Sequence, residues 1–376
     1  MRITIVQGAF LPVPPIRGGA IEKAFYALAR EFAGAGHAVK YISRRCDGLP
    51  VQQSETPNLG HDRIRGHDAP KNLLALKCLD LLYSLRARRK LPDADILLTH
   101  TFWLPILARN PRHGKLYVHV GRTPRGQMTH YRHAARLQTV SSPIAKLIQQ
   151  ELPQQLAHLA KVLPYPLDPA FLAPGQSTPA RRKTLLYTGR IHPEKGLDLL
   201  VPAYLGLPEH CRNGWLLKII GPWRTEHGGA GLPYLESLKI KAENSPDIQF
   251  AEPVFEQGIL VQEYDQATVF AYPSLAEKGE TFGLAALEAM SRGCITLVSA
   301  LDCFQDFLTD GNNGFIFNHR VSDPVAELTA QLNNLLDNSD NLLHVGKKAV
   351  ATAEDYSPAS IANAFVQDFE QILQQP

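Results

Sequence analysis

No stretch of the chain holds about 18 uninterrupted apolar residues, so nothing in it reads as a membrane-spanning helix. The opening run, MRITIVQGAFLPVPP, is short and broken by prolines. It has no long apolar core followed by a small-residue cleavage site, so it does not read as a signal peptide. Cysteine is sparse. Cys46, Cys78, Cys211, Cys294 and Cys303 are odd in number and irregularly spaced, and no CxxC pair occurs. Neither a zinc site nor a disulfide framework is expected, and free thiols in a reducing cytoplasm are the simplest reading. The dinucleotide fingerprint GxGxxG is missing, as are a short repeat and an aromatic-and-basic RNA motif. Nucleic acid is therefore not an expected partner.

What is present is ordinary for a globular protein: 376 residues, 44% hydrophobic and 20% charged. That length exceeds one ordinary hydrophobic core and predicts two domains. The net charge of +3 conceals an asymmetry. Met1 to Tyr165 carry 24 Lys and Arg against 10 Asp and Glu, a net of +14; the remainder carry 15 against 26, a net of −11. A basic first half attracts an anionic partner such as a phosphorylated acceptor or an anionic membrane face, unless it is simply a solvated surface.

Strand and helix patterns alternate along both halves. RITIVQG, HAVKYISR, ADILLTH, KLYVHVG and RLQTVSS read as strands, with amphipathic helices in GGAIEKAFYALAREFAGAG and PKNLLALKCLDLLYSLRARRK. The aperiodic segment YPLDPAFLAPGQSTPARRK is the linker candidate. The rhythm then restarts with TLLYTGR, WLLKIIG, IQFAEPV, ATVFAYPS and CITLVSA. A final helix in SPASIANAFVQDFEQILQQ, about 357–376, is expected to pack back on the first domain. The architecture predicted is α/β, with two doubly wound domains in tandem, 1–165 and 166–356. Ligands are expected at the strands' C-terminal ends, in a cleft the two domains face.

The chemistry-bearing residues fall at those ends. Gly18 and Gly19 open a helix after the first strand, where backbone N–H groups can approach an anion; a plain helix entry explains them as well. Arg190 ends a strand in YTGRIHPEKGLDLL and Lys195 follows across a tight loop, placing two cations where a phosphate would lie. The alternative there is a surface pair of Glu194 and Lys195. In AYPSLAEKGETFGLAALEAMSRG a strand, a loop and a helix beginning near Phe282 or Gly283 leave unpaired N–H groups suited to a diphosphate. Glu280 lies just outside that N-terminus, placed to accept from sugar hydroxyls or to act as a capping charge. Glu288 lies within the helix among apolar neighbours. Its two oxygens match a vicinal diol such as that of ribose, and it otherwise reads as a solvated helix carboxylate.

GRIHPEKG together with PSLAEKGETFGLAALEAMSRG resembles the nucleotide-sugar site of the retaining glycosyltransferases of family four, which have two Rossmann-like domains (GT-B). The E-x7-E pattern is Glu280 and Glu288. GCITLVSA and DGNNGFIF follow in the family's order, RGGAIEK is similar to its N-terminal glycine loop, and VLPYPLDPAFLAPG is similar to its interdomain strand. The resemblance implies that Arg190 and Lys195 hold the donor diphosphate. It implies that Glu280 binds the donor sugar beside Thr281, Phe282, Gly283 and Leu284, and that Glu288 binds the ribose. Gly18 and Gly19 would approach the distal phosphate. His119 in KLYVHVGR would sit near the transferred sugar, with His100 a less certain companion. Two departures stand out. Tyr165-Pro166-Leu167-Asp168 replaces Asn-Gly-Val-Asp, and Glu252 stands where the base-binding strand usually has glycine.

Asp93 to Asp95 spell DAD, but they precede a strand at its N-terminal end, away from the ligand side, so no metal site is expected there. The expected activity is retaining, metal-independent transfer of a hexose-type sugar from an NDP-sugar, UDP or GDP, to an acceptor hydroxyl. The setting expected is bacterial polysaccharide or lipopolysaccharide assembly, on a glycan or lipid-linked acceptor. The protein is expected to be cytoplasmic, with peripheral contact to an anionic membrane through the basic first domain. An NDP-sugar epimerase or hydrolase of the same fold, or a non-catalytic nucleotide-sugar-binding subunit, are the rival readings. The segment 221–238 is either a lid or wall of the donor site or a plain surface loop.

Overall fold

Runs of buried β-formers and amphipathic stretches alternate because each parallel strand must be covered on both faces. The computed structural model describes residues 1–173 and 181–375. The chain divides into two units: residues 1–168 with the segment from Tyr356 onward, and Pro169–Asp355. The sequence-based boundaries after Tyr165 and Tyr356 lie within a few residues of these. The linker candidate falls partly on 174–180, outside the described residues. No strand forms in the described part of VLPYPLDPAFLAPG beyond Val162; the segment from Leu163 to Asp168 is irregular.

Unit 1 is built on β1 (Arg2–Val6), β2 (Ala38–Arg44), β3 (Gln52–Thr56), β4 (Leu59–Ile64), β5 (Ile96–Thr99), β6 (Lys115–Val120), β7 (Arg136–Thr139) and β8 (Ala160–Val162). They form one sheet in the order β3-β4-β2-β1-β5-β6-β7-β8, parallel except for the β3–β4 pair. Every residue of β5 and β7 is buried. The order reverses between β1 and β5. Sequence patterning missed β3, β4 and β8. β3 is the polar run QQSET, mostly exposed on the sheet edge, and β8 is three half-buried residues.

The helix Pro358–Leu373 belongs to unit 1. Ser357 caps it, its hydroxyl accepting from the Ser360 amide at 3.2 Å. Ile361, Phe365, Phe369 and Ile372 form one buried stripe. Phe365 and Phe369 meet Phe25 and Phe32 of the helix Ala20–Gly34, with ring centroids 5.9 and 5.7 Å apart. Asp368, almost fully buried, accepts from Tyr117 Oη at 2.8 Å and Arg136 Nε at 3.0 Å.

Unit 2 holds β9 (Arg182–Thr188), β10 (Leu216–Ile220), β11 (Ile248–Ala251), β12 (Ala267–Tyr272), β13 (Ile295–Ser299) and β14 (Phe315–Phe317). The sheet is wholly parallel, in the order β11-β10-β9-β12-β13-β14. Renumbered within the unit this is 3-2-1-4-5-6, the doubly wound nucleotide-binding order, whose switch point lies between β9 and β12. β14, inside DGNNGFIF, was not expected as a strand. Among the described residues no helix is long and apolar enough to cross a membrane, and all five cysteines are free thiols.

Candidate active site

The two strands flanking the unit 2 switch point end at Thr188 and Tyr272. The loops that leave them carry most of the residues singled out above. After β9 the chain passes Gly189 and Arg190 and makes a short 3₁₀ turn, Pro193–Lys195, before the helix Leu197–Leu205. Arg190 is solvent-exposed. Its guanidinium donates to Glu194 Oε1 at 2.7 Å and to the Gly228 carbonyl at 3.0 Å. Lys195 is buried, and its Nζ meets Glu280 Oε2 at 2.7 Å, with the two side chains 7% and 11% exposed. The pairing considered from sequence, Glu194 with Lys195, is therefore not formed. Glu194 is four residues from Arg190 and takes it, while Lys195 turns inward to the other loop.

That other loop leaves β12 as Pro273 and Ser274. Ser274 Oγ donates to Glu280 Oε2 at 3.1 Å, and the Leu275 amide donates to the Glu194 carbonyl at 2.8 Å, tying the loops together. The Tyr272 ring lies 5.4 Å from Lys195 Nζ. The hydroxyls of Tyr187 and Tyr272 are pushed far above the ordinary phenol range, first by burial and then by the Glu280 charge, so both stay protonated. The result is a cation–carboxylate pair held over a floor of neutral aromatics at the C-terminal ends of the strands.

The helix that follows runs Leu284–Ser291, one residue later than the later of the two expected starts. Gly283 is its N-cap, with φ 88°. A Cβ there would sit 2.2 Å from Phe304 Cε1, so both the backbone and the packing demand glycine. The first turn closes with the Ala286 amide on the Gly283 carbonyl at 3.0 Å. By helix geometry the N–H groups ahead of Ala286 have no acceptor within the helix. Phe282 is buried against Phe307, ring centroids 5.5 Å apart, while Thr281 and Leu284 are half-buried beside it. Glu288, half-buried, accepts from Tyr264 Oη at 3.2 Å. Tyr264 also meets Thr188 Oγ1 at the end of β9, so Glu288 is linked to the switch point through one phenol.

Sequence reasoning gave Arg190, Lys195, Glu280 and Glu288, and the structure gathers all four around one strand crossing. It missed Ser274 and Tyr264, the groups that orient the two glutamates. A Ser at the very end of a predicted strand was a usable signal; Tyr264, inside the helix Gln257–Gln266, offered none. The segment 221–238 is a tight turn followed by the start of a helix at Leu232. Its Gly228 carbonyl takes Arg190, and its Ala230 amide donates to Ile191 at 3.0 Å, so it is packed against the Arg190 loop. Asp95 receives the Arg2 amide at 2.7 Å and the Arg2 guanidinium at 2.8 Å at the N-terminal end of β5, which places DAD in a structural ion pair.

In unit 1, Gly18 and Gly19 precede the helix Ala20–Gly34, with φ 76° and 99°. A Cβ on Gly19 would lie 2.1 Å from Glu22 Oε2. Glu22 is itself buried and accepts from Gln7 Nε2 at 3.1 Å, and burial raises its pKa. His119 lies at the end of β6, buried. Nδ1 is 2.6 Å from Gln138 Oε1 and Nε2 is 3.0 Å from Tyr165 Oη. Gln138 Nε2 donates to the Leu163 and Thr139 carbonyls, so its oxygen faces the ring. His119 therefore carries its proton on Nδ1 and accepts at Nε2. Burial lowers its pKa to about 4 and keeps it neutral. Tyr165, a departure from the family pattern, is thus the partner of His119. His100 packs 4.9 Å from His119, ring to ring, and 4.1 Å from Phe25, and neither of its ring nitrogens has a hydrogen-bond partner among the described residues.

A 3-2-1-4-5-6 sheet with Arg190, Lys195 and a helix N-terminus at its switch point has the doubly wound order common to nucleotide-binding α/β units. Solved structures place the whole chain in the GT-B fold. Sucrose-phosphate synthase from Thermosynechococcus elongatus matches with a TM-score of 0.78 at 17% identity, over all of both chains. WaaG, a glycosyltransferase involved in lipopolysaccharide biosynthesis, matches at 0.68 and 16%, again over all of both chains. Anabaena HepE, solved with UDP and glucose, matches at 0.72 and 14%, over 99% of this chain and all of that one. Residues 173–351, within the second unit, match the family described as glycosyl transferases group 1. The D-inositol 3-phosphate glycosyltransferase of Nocardia farcinica is 31% identical over 208 residues, 54% of this chain and 42% of that relative. Its Streptomyces scabiei counterpart is 29% identical over 174 residues, 46% of this chain and 37% of that relative. The chain thus aligns with less than half the length of these relatives.

Proposed function

We propose that the protein is a retaining glycosyltransferase that moves a hexose-type sugar from a nucleoside-diphosphate donor to an acceptor hydroxyl. The observation that carries the reading is the Lys195–Glu280 pair at the unit 2 switch point, flanked by Arg190 and by the helix N-terminus at Gly283. Arg190, Lys195 and the amides after Phe282 are the groups for the diphosphate. Glu280 is the group for the donor sugar, and Glu288, oriented by Tyr264, is the group for the ribose diol. Together the cations and the helix end supply the charge stabilisation that a leaving diphosphate needs, and no divalent cation is required in this scheme. Retention follows from a front-face path in which the acceptor proton passes toward the departing phosphate. The protein then contributes positioning and electrostatics.

Gly18, Gly19 and His119 are the unit 1 contributions in this reading, with a neutral His119 offering a fixed polar edge. UDP or GDP is the expected nucleotide, and a cell-envelope glycan or lipid-linked molecule the expected acceptor. The protein would then work in the cytoplasm, in peripheral contact with an anionic membrane. The test is calorimetric titration with UDP, GDP and ADP, then their hexose conjugates, beside Glu288→Ala. Selective binding of one nucleotide, weakened by about ten-fold or more in the variant, supports the reading, since a lost charge-assisted bond costs about 1.5–3 kcal/mol. Folded protein that binds none of them refutes it. Product analysis without acceptor separates a transferase from an epimerase or hydrolase.

A further inference from the structure

Unit 1 carries a surface whose positive charge is not balanced locally. A groove of about 400 Å³ is lined by Arg88, Arg89, Arg109 and Arg112, with Leu85 and His113. A second hollow of about 350 Å³ shares Arg109 and adds His130, Arg132 and His133. No carboxylate lines either. Among the described residues Arg88, Arg89, Arg109 and Arg132 enter no ion pair. Arg112 meets Asp93 at 3.7 Å, with both side chains more than half exposed, an interaction worth little.

These cations come from separate segments that the fold brings together. Arg88 ends the helix Leu73–Arg88 and Arg89 caps it, Arg109 precedes and Arg112 lies in the turn before β6, and His130 to His133 lie in the turn before β7. The arginines of the larger groove lie toward the N-terminal ends of β5 and β6. They are thus about 20 Å, the rise of a six-residue strand, from the C-terminal ends where His119 and the glycine loop lie. The groove shares no residue with the proposed donor site, and within unit 1 it lies at the opposite strand ends from Gly18, Gly19 and His119. Crowded like charges repel, and guanidinium forks pair with phosphate oxygens two at a time, so the arrangement is relieved by a ligand with several negative oxygens.

We propose that this groove is a second, non-donor site that binds multivalent phosphate, gripped by Arg88, Arg89, Arg109 and Arg112, with Arg132 on the adjoining wall. The phosphates are those of a soluble molecule or of lipid headgroups. In the second case the exposed Leu82 and Leu85 beside the arginines meet the lipid as well.

The test uses the full chain at low ionic strength. One arm titrates inorganic tripolyphosphate by calorimetry. The other sediments the protein with vesicles of phosphatidylglycerol and phosphatidylcholine, and with phosphatidylcholine alone. Arg89→Gln/Arg109→Gln/Arg112→Gln is compared with Lys146→Gln/Lys183→Gln/Lys347→Gln, which removes equal charge from exposed sites elsewhere. Thermal unfolding and UDP titration of both check the fold and the donor side. The groove variant is expected to lose about ten-fold or more in affinity, and the control about two-fold or less, with UDP binding unchanged in both. Arg109→Gln alone, shared by both hollows, is expected to lose several-fold. Loss in the tripolyphosphate arm assigns a soluble ligand; loss in the anionic-vesicle arm alone assigns lipid headgroups. Equal weakening in the two triple variants, or no binding of either probe by the wild type, overturns the proposal.

Discussion

Replacing Lys195 by alanine tests whether the pair at the switch point is a buried ion pair holding two loops. At 2.7 Å, and with an effective dielectric constant of about 20, the attraction between Lys195 and Glu280 is roughly 6 kcal/mol before desolvation. Desolvating two side chains that are 7% and 11% exposed takes back several kcal/mol, so the pair's net contribution is small. Removing one partner is different. The Glu280 charge would remain buried with only neutral donors, the Ser274 and Tyr272 hydroxyls, and the expected loss is about 3–5 kcal/mol. For a unit of this size that corresponds to a melting shift of roughly 6–20 °C. Urea unfolding followed at Trp215 and Trp223, both in unit 2, measures it. The double variant Lys195→Met/Glu280→Gln should recover most of the loss, because no unpaired charge is left. A Lys195→Ala loss below about 1 kcal/mol, or a double variant no better than the single, would refute the reasoning and mean that water reaches Glu280 freely.

Three further outcomes are expected. His119 has a folded pKa of about 4 against an ordinary 6.5, so the unfolded chain binds the extra proton. Its share of unit 1 stability is complete above pH 6.5 and falls as pH drops toward 4, by about 3 kcal/mol in all. His119→Gln should flatten that part of a stability–pH curve, leaving the same-direction contributions of His61 and His100, both of which burial also lowers. Gly283→Ala should cost about 2 kcal/mol or more, from a positive φ and a clash with Phe304, and should abolish nucleotide binding; differential scanning and UDP titration check both. EDTA treatment should leave the transfer rate within about two-fold under the proposal that Arg190, Lys195 and the helix end supply the charge stabilisation; a rate restored only by added Mg²⁺ or Mn²⁺ would contradict this.

Much of the fold was legible because parallel strands covered on both faces leave dense apolar runs. TLLYTGR, ATVFAYPS and CITLVSA each became a strand near its expected place. What escaped detection had no such pattern: the polar β3, the three-residue β8 and β14, whose pairing partners supply the order. The candidate site was legible where residue type and strand end coincided, as for Arg190, Lys195, Glu280 and Glu288. Its wiring was not. That Lys195 turns to Glu280, 85 residues away, while Arg190 takes the nearby Glu194, depends on the β9–β12 adjacency, which no local pattern encodes. The partners of His119 are likewise set by tertiary contacts. Tyr165 looked like a missing family residue, and its position beside Nε2 came only with the fold.

The last helix, Pro358–Leu373, has a consequence for how the protein is made. Unit 1 is discontinuous in sequence, and unit 2 is read out between its two parts. On the ribosome, Tyr117 and Arg136 must wait until Asp368 has emerged, more than two hundred residues later. Until then the Phe25 and Phe32 face of the helix Ala20–Gly34 has no cover, and the nascent chain presents an apolar patch for chaperones or for misassembly. Unit 2, continuous from Pro169 to Asp355, can finish folding first. A ribosome stalled before the helix Pro358–Leu373 has emerged would therefore hold a completed second unit tethered to a first unit still unable to close its core.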